Sequence, residues 1–120
     1  MASAKQRPLE GVRVIEMGQL LAGPFTGTIL AYFGAEVIKV EPPGGDPIRG
    51  WRLLRDGTSL WYRSLGRNKK SVTLDLRSDR GRELAGKLID TADVVVENFR
   101  PGLLDKWGLG PEQMKQRDPG

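Results

Sequence analysis

A chain of 120 residues, 38% hydrophobic and 28% charged, has the make-up of a globular protein, which excludes a disordered tail as its main character. Lys and Arg total 19 against 15 Asp and Glu, a net charge of +4 with the cations dispersed, so they describe either a solvated surface or a site for an anion such as a phosphate ester. Cysteine and histidine are absent, which excludes a disulfide framework, a Cys/His metal site and Cys or Ser–His nucleophile chemistry within these residues.

Residues 1–8 read as a polar lead-in, MASAKQRP, without the apolar core of a signal peptide. No apolar run approaches the ~18 residues of a membrane span, so the expectation is a cytoplasmic protein with no membrane contact. VRVIEM (12–17) reads as a first short strand, and QLLAGP (19–24) as the loop after it. Pro24 suits the first position of a helix, where its missing N–H has no partner to lose. Phe25, Ile29, Leu30 and Phe33 mark one helical face. Gly34 fits the left-handed position that ends such a helix. EVIKVE (36–41) is a second strand, and PPGGDP (42–47) breaks regular structure.

Residues 48–69 read as a long irregular connection carrying Trp51, Trp61 and Tyr62, too long and too aromatic for idle filler. SVTLDL (71–76) is a third strand, and Ser78 caps a helix over 79–90 with Leu84, Leu88 and Ile89 facing inward. ADVVVENF (92–99) is the fourth strand. PGLLDKWGLG comes next as a turn with one short helix, and PEQMKQ begins another.

The order β-α-β-loop-β-α-β predicts an α/β fold, a parallel sheet with flanking helices. Ligands of such sheets sit beyond the carboxyl ends of the strands. Leu21 to Pro24 and Asn98 to Arg100 therefore border one rim. Asn98 offers a donor and an acceptor, suited to a purine edge or a backbone amide. Arg100 offers a planar fork suited to phosphate, and Phe99 packs under either. The competing reading is a plain strand-end turn, and these residues alone do not separate the two. The start of the helix at Pro24 leaves the same choice between an anion site and a tight turn. RNKKS (67–71) carries three cations in four residues and reads as a solvated face. Asp75 and Arg77 pair locally or border the rim. Neither G-x-G-x-x-G nor G-x-x-x-x-G-K-[ST] occurs, which argues against a nicotinamide or ATP site of the usual type. Glu16, Asp46 and Glu97 are carboxylates of the right chemistry for a nucleophile or base, but nothing in their spacing singles one out.

Taken together, PLEGVRVIE, LLAGPFTGTILAYFGAEVIKVEPPGGDPIRGW, RNKKSVTLDL and ADVVVENFRPGLLDKWGLG resemble the start of the class III CoA-transferase family, whose relatives include formyl-CoA transferase, carnitine CoA-transferase and α-methylacyl-CoA racemase. The resemblance runs from about Pro8 to Gly110. It implies a Rossmann-like large domain, of which residues 9–120 are the N-terminal part, and a homodimer whose subunits interlock. It implies a CoA-transferase acting on an acyl-CoA and a carboxylic acid, with coenzyme A as ligand, no metal and no nucleic acid. By the same resemblance the catalytic aspartate lies further along than this chain extends, so these residues alone are expected to be inactive. The CoA contacts it implies fall on Leu21 and Ala22, on Leu74, Asp75, Leu76 and Arg77, on Asn98, Phe99 and Arg100, and on Lys106. Pro42 stands where the family often has a basic residue against the nucleotide. Two alternatives remain at this point, an acyl-CoA racemase of the same family and a truncated product without catalysis.

Overall fold

The computed structural model describes residues 6–118, so the polar lead-in lies largely outside the described residues. Four parallel strands form one sheet: β1 (Arg13–Glu16), β2 (Glu36–Glu41), β5 (Lys69–Thr73) and β6 (Val94–Val96), in the order β5-β2-β1-β6. Side chains alternate across it. Ile15, Met17 and Val40 point to a core shared with Ala85 and Ile89 of α3 (Asp79–Ile89) and with Leu104 of α4 (Leu103–Lys106). Val14 and Val37 point the other way, against Ala31 of α1 (Ala22–Tyr32) and Ala35 beyond it. The sheet is thus covered on both faces, as parallel sheets require.

Helix α1 begins two residues before Pro24 and ends as its sequence predicts. Gly34 has φ +103°, the Gly34 N–H donates to Ala31 O (3.1 Å) and the Ala35 N–H to Leu30 O (3.1 Å), the paired closing bonds of a Schellman turn. Its packing face differs from the expected one. The residues it buries are Gly23, Pro24, Gly27, Thr28 and Ala31, while Phe25, Ile29, Tyr32 and Phe33 are exposed. A helix that turns small residues to the sheet can approach it closely, and the large side chains are left outside. Helix α3 starts as expected, with Ser78 Oγ accepting from the Gly81 N–H (3.0 Å). Ile89 is buried and Leu88 packs against the core, whereas Leu84 is half-buried. A short terminal helix, α5 (Pro111–Arg117), comes after α4.

The connection over 48–69 is not irregular. It holds a 3₁₀ turn (Pro47–Gly50), a hairpin of β3 (Leu54–Arg55) and β4 (Thr58–Ser59), and helix α2 (Leu60–Leu65). Asp56 and Gly57 both have positive φ (52° and 76°), the geometry of a two-residue hairpin turn. Ser59 then caps α2, accepting from the Trp61 N–H at 3.1 Å, and its own hydroxyl donates to Trp51 O at 2.8 Å. Strand β5 also begins earlier than expected, at Lys69 instead of Ser71, because Val37 pairs with Lys69 in register. Leu74 to Arg77 therefore lie past the strand. Strand β6 spans only Val94–Val96, since β1 ends opposite it at Glu16 and turns away into a loop.

Candidate functional site at the sheet switch point

β1 leads to β2 and β5 on one side, and β6 lies on its other side. The strand order therefore reverses between β1 and β6, which run parallel, and crevices form at such points beyond the strands' carboxyl ends. The floor of this one is a tight backbone crossing. Asn98 places both ends of its amide on Gln19: the Gln19 N–H donates to Asn98 Oδ1 (2.8 Å), and Asn98 Nδ2 donates to Gln19 O (2.9 Å). A Cβ on Gly18 would sit 2.5 Å from Asn98 Oδ1 and 2.9 Å from the Gly23 Cα, so glycine is required there. Of the partners open to Asn98 from sequence, a backbone amide is the one it takes.

Two clefts flank this crossing. One, of about 430 Å³, has Leu74, Asp75, Leu76 and Arg77 on one wall and Phe99 and Trp107 on the other. The Phe99 and Trp107 rings meet edge to face at 5.8 Å. The second, of about 520 Å³, is bounded by Leu20, Leu21, Ala22, Trp51, Asn98 and Arg100. Gln19, Phe99 and Leu103 belong to both. Volumes of this size suit a small-molecule ligand. The CoA contacts implied by the resemblance all line one cleft or the other except Lys106, which is exposed on α4 and lines neither; Gly23 and Pro24, also placed on the rim from sequence, are buried in α1 and line neither. Asp75 Oδ1 accepts from Arg77 N–H (3.0 Å) and lies 3.3 Å from Arg77 Nε, so this pair is local and borders the rim as well. Arg100 is exposed at the mouth, and among the described residues no carboxylate pairs with it.

Beneath α1 the sheet carries a buried charge network that sequence reading missed. Lys39 Nζ lies 2.7 Å from Glu16 Oε2 and 2.8 Å from Asp46 Oδ2, and it donates to Gly18 O at 3.2 Å. The Asp46 Oδ2 contact is an ion pair outside hydrogen-bond angles. Lys69 Nζ meets Glu16 Oε1 at 2.6 Å and Pro24 O at 2.7 Å. Lys69, read from sequence as part of a solvated face, is thus buried and paired. Burial pushes the Lys39 ammonium down, but the charges of Glu16 and Asp46 outweigh it and its pKa ends raised. Burial likewise pushes Lys69 down, Glu16 offsets this only in part, and nearby Lys39 adds to the lowering. A second cluster joins Glu41 to Arg49 (2.7 and 2.8 Å) and to the Ser71 hydroxyl, with the Arg49 guanidinium 3.9 Å over the Tyr62 ring. Burial alone would raise the Glu41 carboxyl; hydrogen bonds from Arg49, Ser71 and the Asp46 N–H more than reverse this and hold it at about 2. The available signal was the period-2 placement of Lys39 and Glu41 in EVIKVE, and Glu16 after the apolar pair Val14–Ile15.

These pairings decide what the carboxylates can do. Glu16, Asp46 and Glu41 are committed to cations or backbone N–H groups, and Glu97 accepts from the Phe99 N–H at 2.9 Å. None is presented to a cleft as a free nucleophile. Among the described residues no three His, Cys, Asp or Glu side chains are grouped to hold a metal ion, and no helix is long and apolar enough to cross a membrane.

The model of CoA-transferase family III matches residues 9–120. A succinyl-CoA–D-citramalate CoA-transferase of Chloroflexus aurantiacus is 57% identical over 116 residues, 95% of this chain and 29% of that protein. A formyl-CoA:oxalate CoA-transferase of Streptomyces coelicolor is 43% identical, over 94% of this chain and 28% of its own length. The solved structure of a hypothetical protein from Mycobacterium tuberculosis superposes with a TM-score of 0.87 at 44% identity, covering 95% of this chain and 31% of that one. A CAIB/BAIF family protein of Brucella suis gives the same TM-score at 42% identity. The chain thus spans less than a third of the length of these relatives. A family model that runs through almost all of its residues, and solved folds that match its sheet and helices, show that the chain belongs to CoA-transferase family III.

Proposed function

We propose that residues 9–120 are the N-terminal part of the large domain of an enzyme that moves CoA between carboxylic acids, and that they supply the CoA cradle and not the nucleophile. One observation carries this reading. Arg100, exposed and among the described residues without a carboxylate partner, lines the second of two adjoining clefts that share Phe99. A nucleotide thioester presents an aromatic ring, anionic phosphates and an extended acyl arm, and the two clefts offer an aromatic wall, a cation and apolar length. Leu21, Ala22, Leu74 to Arg77, Phe99 and Arg100 contact the ligand in this reading. Asn98 shapes the floor, because both ends of its amide are already used. Lys106 reaches toward a phosphate from outside the clefts.

The chemistry is nucleophilic catalysis by an aspartate outside these residues, through anhydride and thioester intermediates. The Chloroflexus and Streptomyces relatives are transferases, which favours transfer over racemisation. The setting proposed is a cytoplasmic homodimer. The test is calorimetric titration of the chain with CoA. Binding that Arg100→Ala weakens about tenfold or more supports the cradle, since a charge-assisted hydrogen bond is worth ~1.5–3 kcal/mol. Equal affinity in the variant removes Arg100 from the site.

A further inference from the structure

Leu20 has φ +63°, a left-handed conformation that is strained for a residue carrying a side chain. It sits in the β1–α1 loop, directly before Leu21 and Ala22 on the wall of the second cleft. Three successive backbone units of this loop are each held by a side chain from elsewhere. Gly18 O accepts from Lys39, both polar groups of Gln19 pair with Asn98, and the Leu20 N–H donates to Asp46 Oδ1 at 3.1 Å. Asp46 is 1% exposed and lies 26 residues away in sequence. The same Oδ1 accepts from the Ile48 N–H at 3.0 Å, and Oδ2 faces the Lys39 ammonium. Asp46 therefore holds the strained unit directly and braces the lysine that holds Gly18. It lines neither cleft.

We propose that Asp46 is a positioning residue for the ligand cleft: it fixes the left-handed turn at Leu20 and so sets where Leu21 and Ala22 stand. The cleft's role rests on the CoA reading; the hold on Leu20 does not. A different role for Asp46, capping the 3₁₀ turn through Ile48 alone, predicts other results.

The experiment combines two substitutions in the chain, with CoA titration and amide hydrogen exchange as readouts. Asp46→Ala removes the acceptor. Leu20→Gly removes the conformational cost, because glycine adopts positive φ freely. The expected result is that Asp46→Ala weakens CoA binding about tenfold when Leu20 is present and less than about threefold in the Leu20→Gly background. Exchange of the Leu20 amide should quicken about tenfold or more in Asp46→Ala, with α3 amides unchanged. An equal loss in both backgrounds, or an unaltered Leu20 amide, overturns the proposal. Should the alanine variant not fold, Asp46→Asn decides: it keeps an oxygen acceptor, so the Leu20 amide should stay protected, and free exchange there overturns the proposal. If the unsubstituted chain fails to bind CoA, the cradle reading falls, and Leu20 exchange still tests Asp46.

Discussion

Gly27 sits directly over the buried network. A Cβ added there would collide with Glu16 Oε1 and lie 3.0 Å from its carboxyl carbon, and the carboxylate cannot swing aside while two lysines hold it. Gly27→Ala should therefore destabilise the chain by about 3 kcal/mol, read as a lowered midpoint in urea. Gly50→Ala, where an added Cβ meets nothing within 4 Å, should leave the midpoint nearly unchanged. Glu41 gives a pH signature. Its folded pKa of about 2 lies below the ordinary 4.5, so the unfolded chain binds this proton more readily than the folded one. The contribution is complete above the ordinary value and is lost as pH falls toward about 2. Urea midpoints measured from about pH 6 down to about pH 2 should show this loss, and Glu41→Gln should flatten that part of the curve. The same substitution should cost about 2 kcal/mol at neutral pH, because Arg49 loses its partner.

At the scale of elements, α1 carries two stripes. Gly23, Gly27 and Ala31 face the sheet, and Phe25, Ile29, Tyr32 and Phe33 face outward. Hydrophobic spacing alone selects the wrong stripe, since it weighs size and not closeness of approach. The charges beneath were hidden for a related reason. A Lys or Glu in a strand reads as solvent-facing, and its partner lies on another strand: Glu16 meets Lys69, 53 residues on and two strands across. Features governed by a local rule were legible, including the Gly34 stop, the Ser78 cap and the four strands. The rim was legible too, because Leu21–Ala22 and Phe99–Arg100 come just after strand ends. The hairpin at Asp56–Gly57 had a local signal in its Asp-Gly pair that the aromatic residues around it obscured. Replacing both Phe25 and Phe33 by Ser should change folding stability by less than about 1 kcal/mol, since both are exposed. Chemical denaturation checks this.

The whole molecule is a slab of 45 × 41 × 22 Å with a radius of gyration of 15.2 Å. A closed domain of this length would have about 13.6 Å. The excess fits the exposed apolar side chains on α1 and on the hairpin, where Leu53 is 73% and Leu54 52% exposed. Such patches drive association. Light scattering of the 120-residue chain should give a mass that rises with concentration, and the Phe25→Ser, Phe33→Ser variant should reduce the rise. A monodisperse monomer with a sharp thermal transition would show that the slab closes its own core. Incubated with acyl-CoA donors and carboxylate acceptors, the chain alone should give no turnover above a blank, because the aspartate proposed as nucleophile lies outside these residues.

The crossing of Gln19 and Asn98 joins residues 79 apart, and β1, first of the four strands to leave the ribosome, acquires its second neighbour only when β6 emerges. Loop closure over such a separation is slow compared with helix formation. During synthesis β1 therefore waits with one edge open while α1, β2, β5 and α3 assemble around it. The cleft floor is the last part of the sheet to close, so a nascent chain halted before Val94 would hold β1, β2 and β5 and none of the switch point. A pause in translation near that residue would lengthen exposure of a sticky strand edge, which makes the timing of synthesis, and not only the sequence, a determinant of yield.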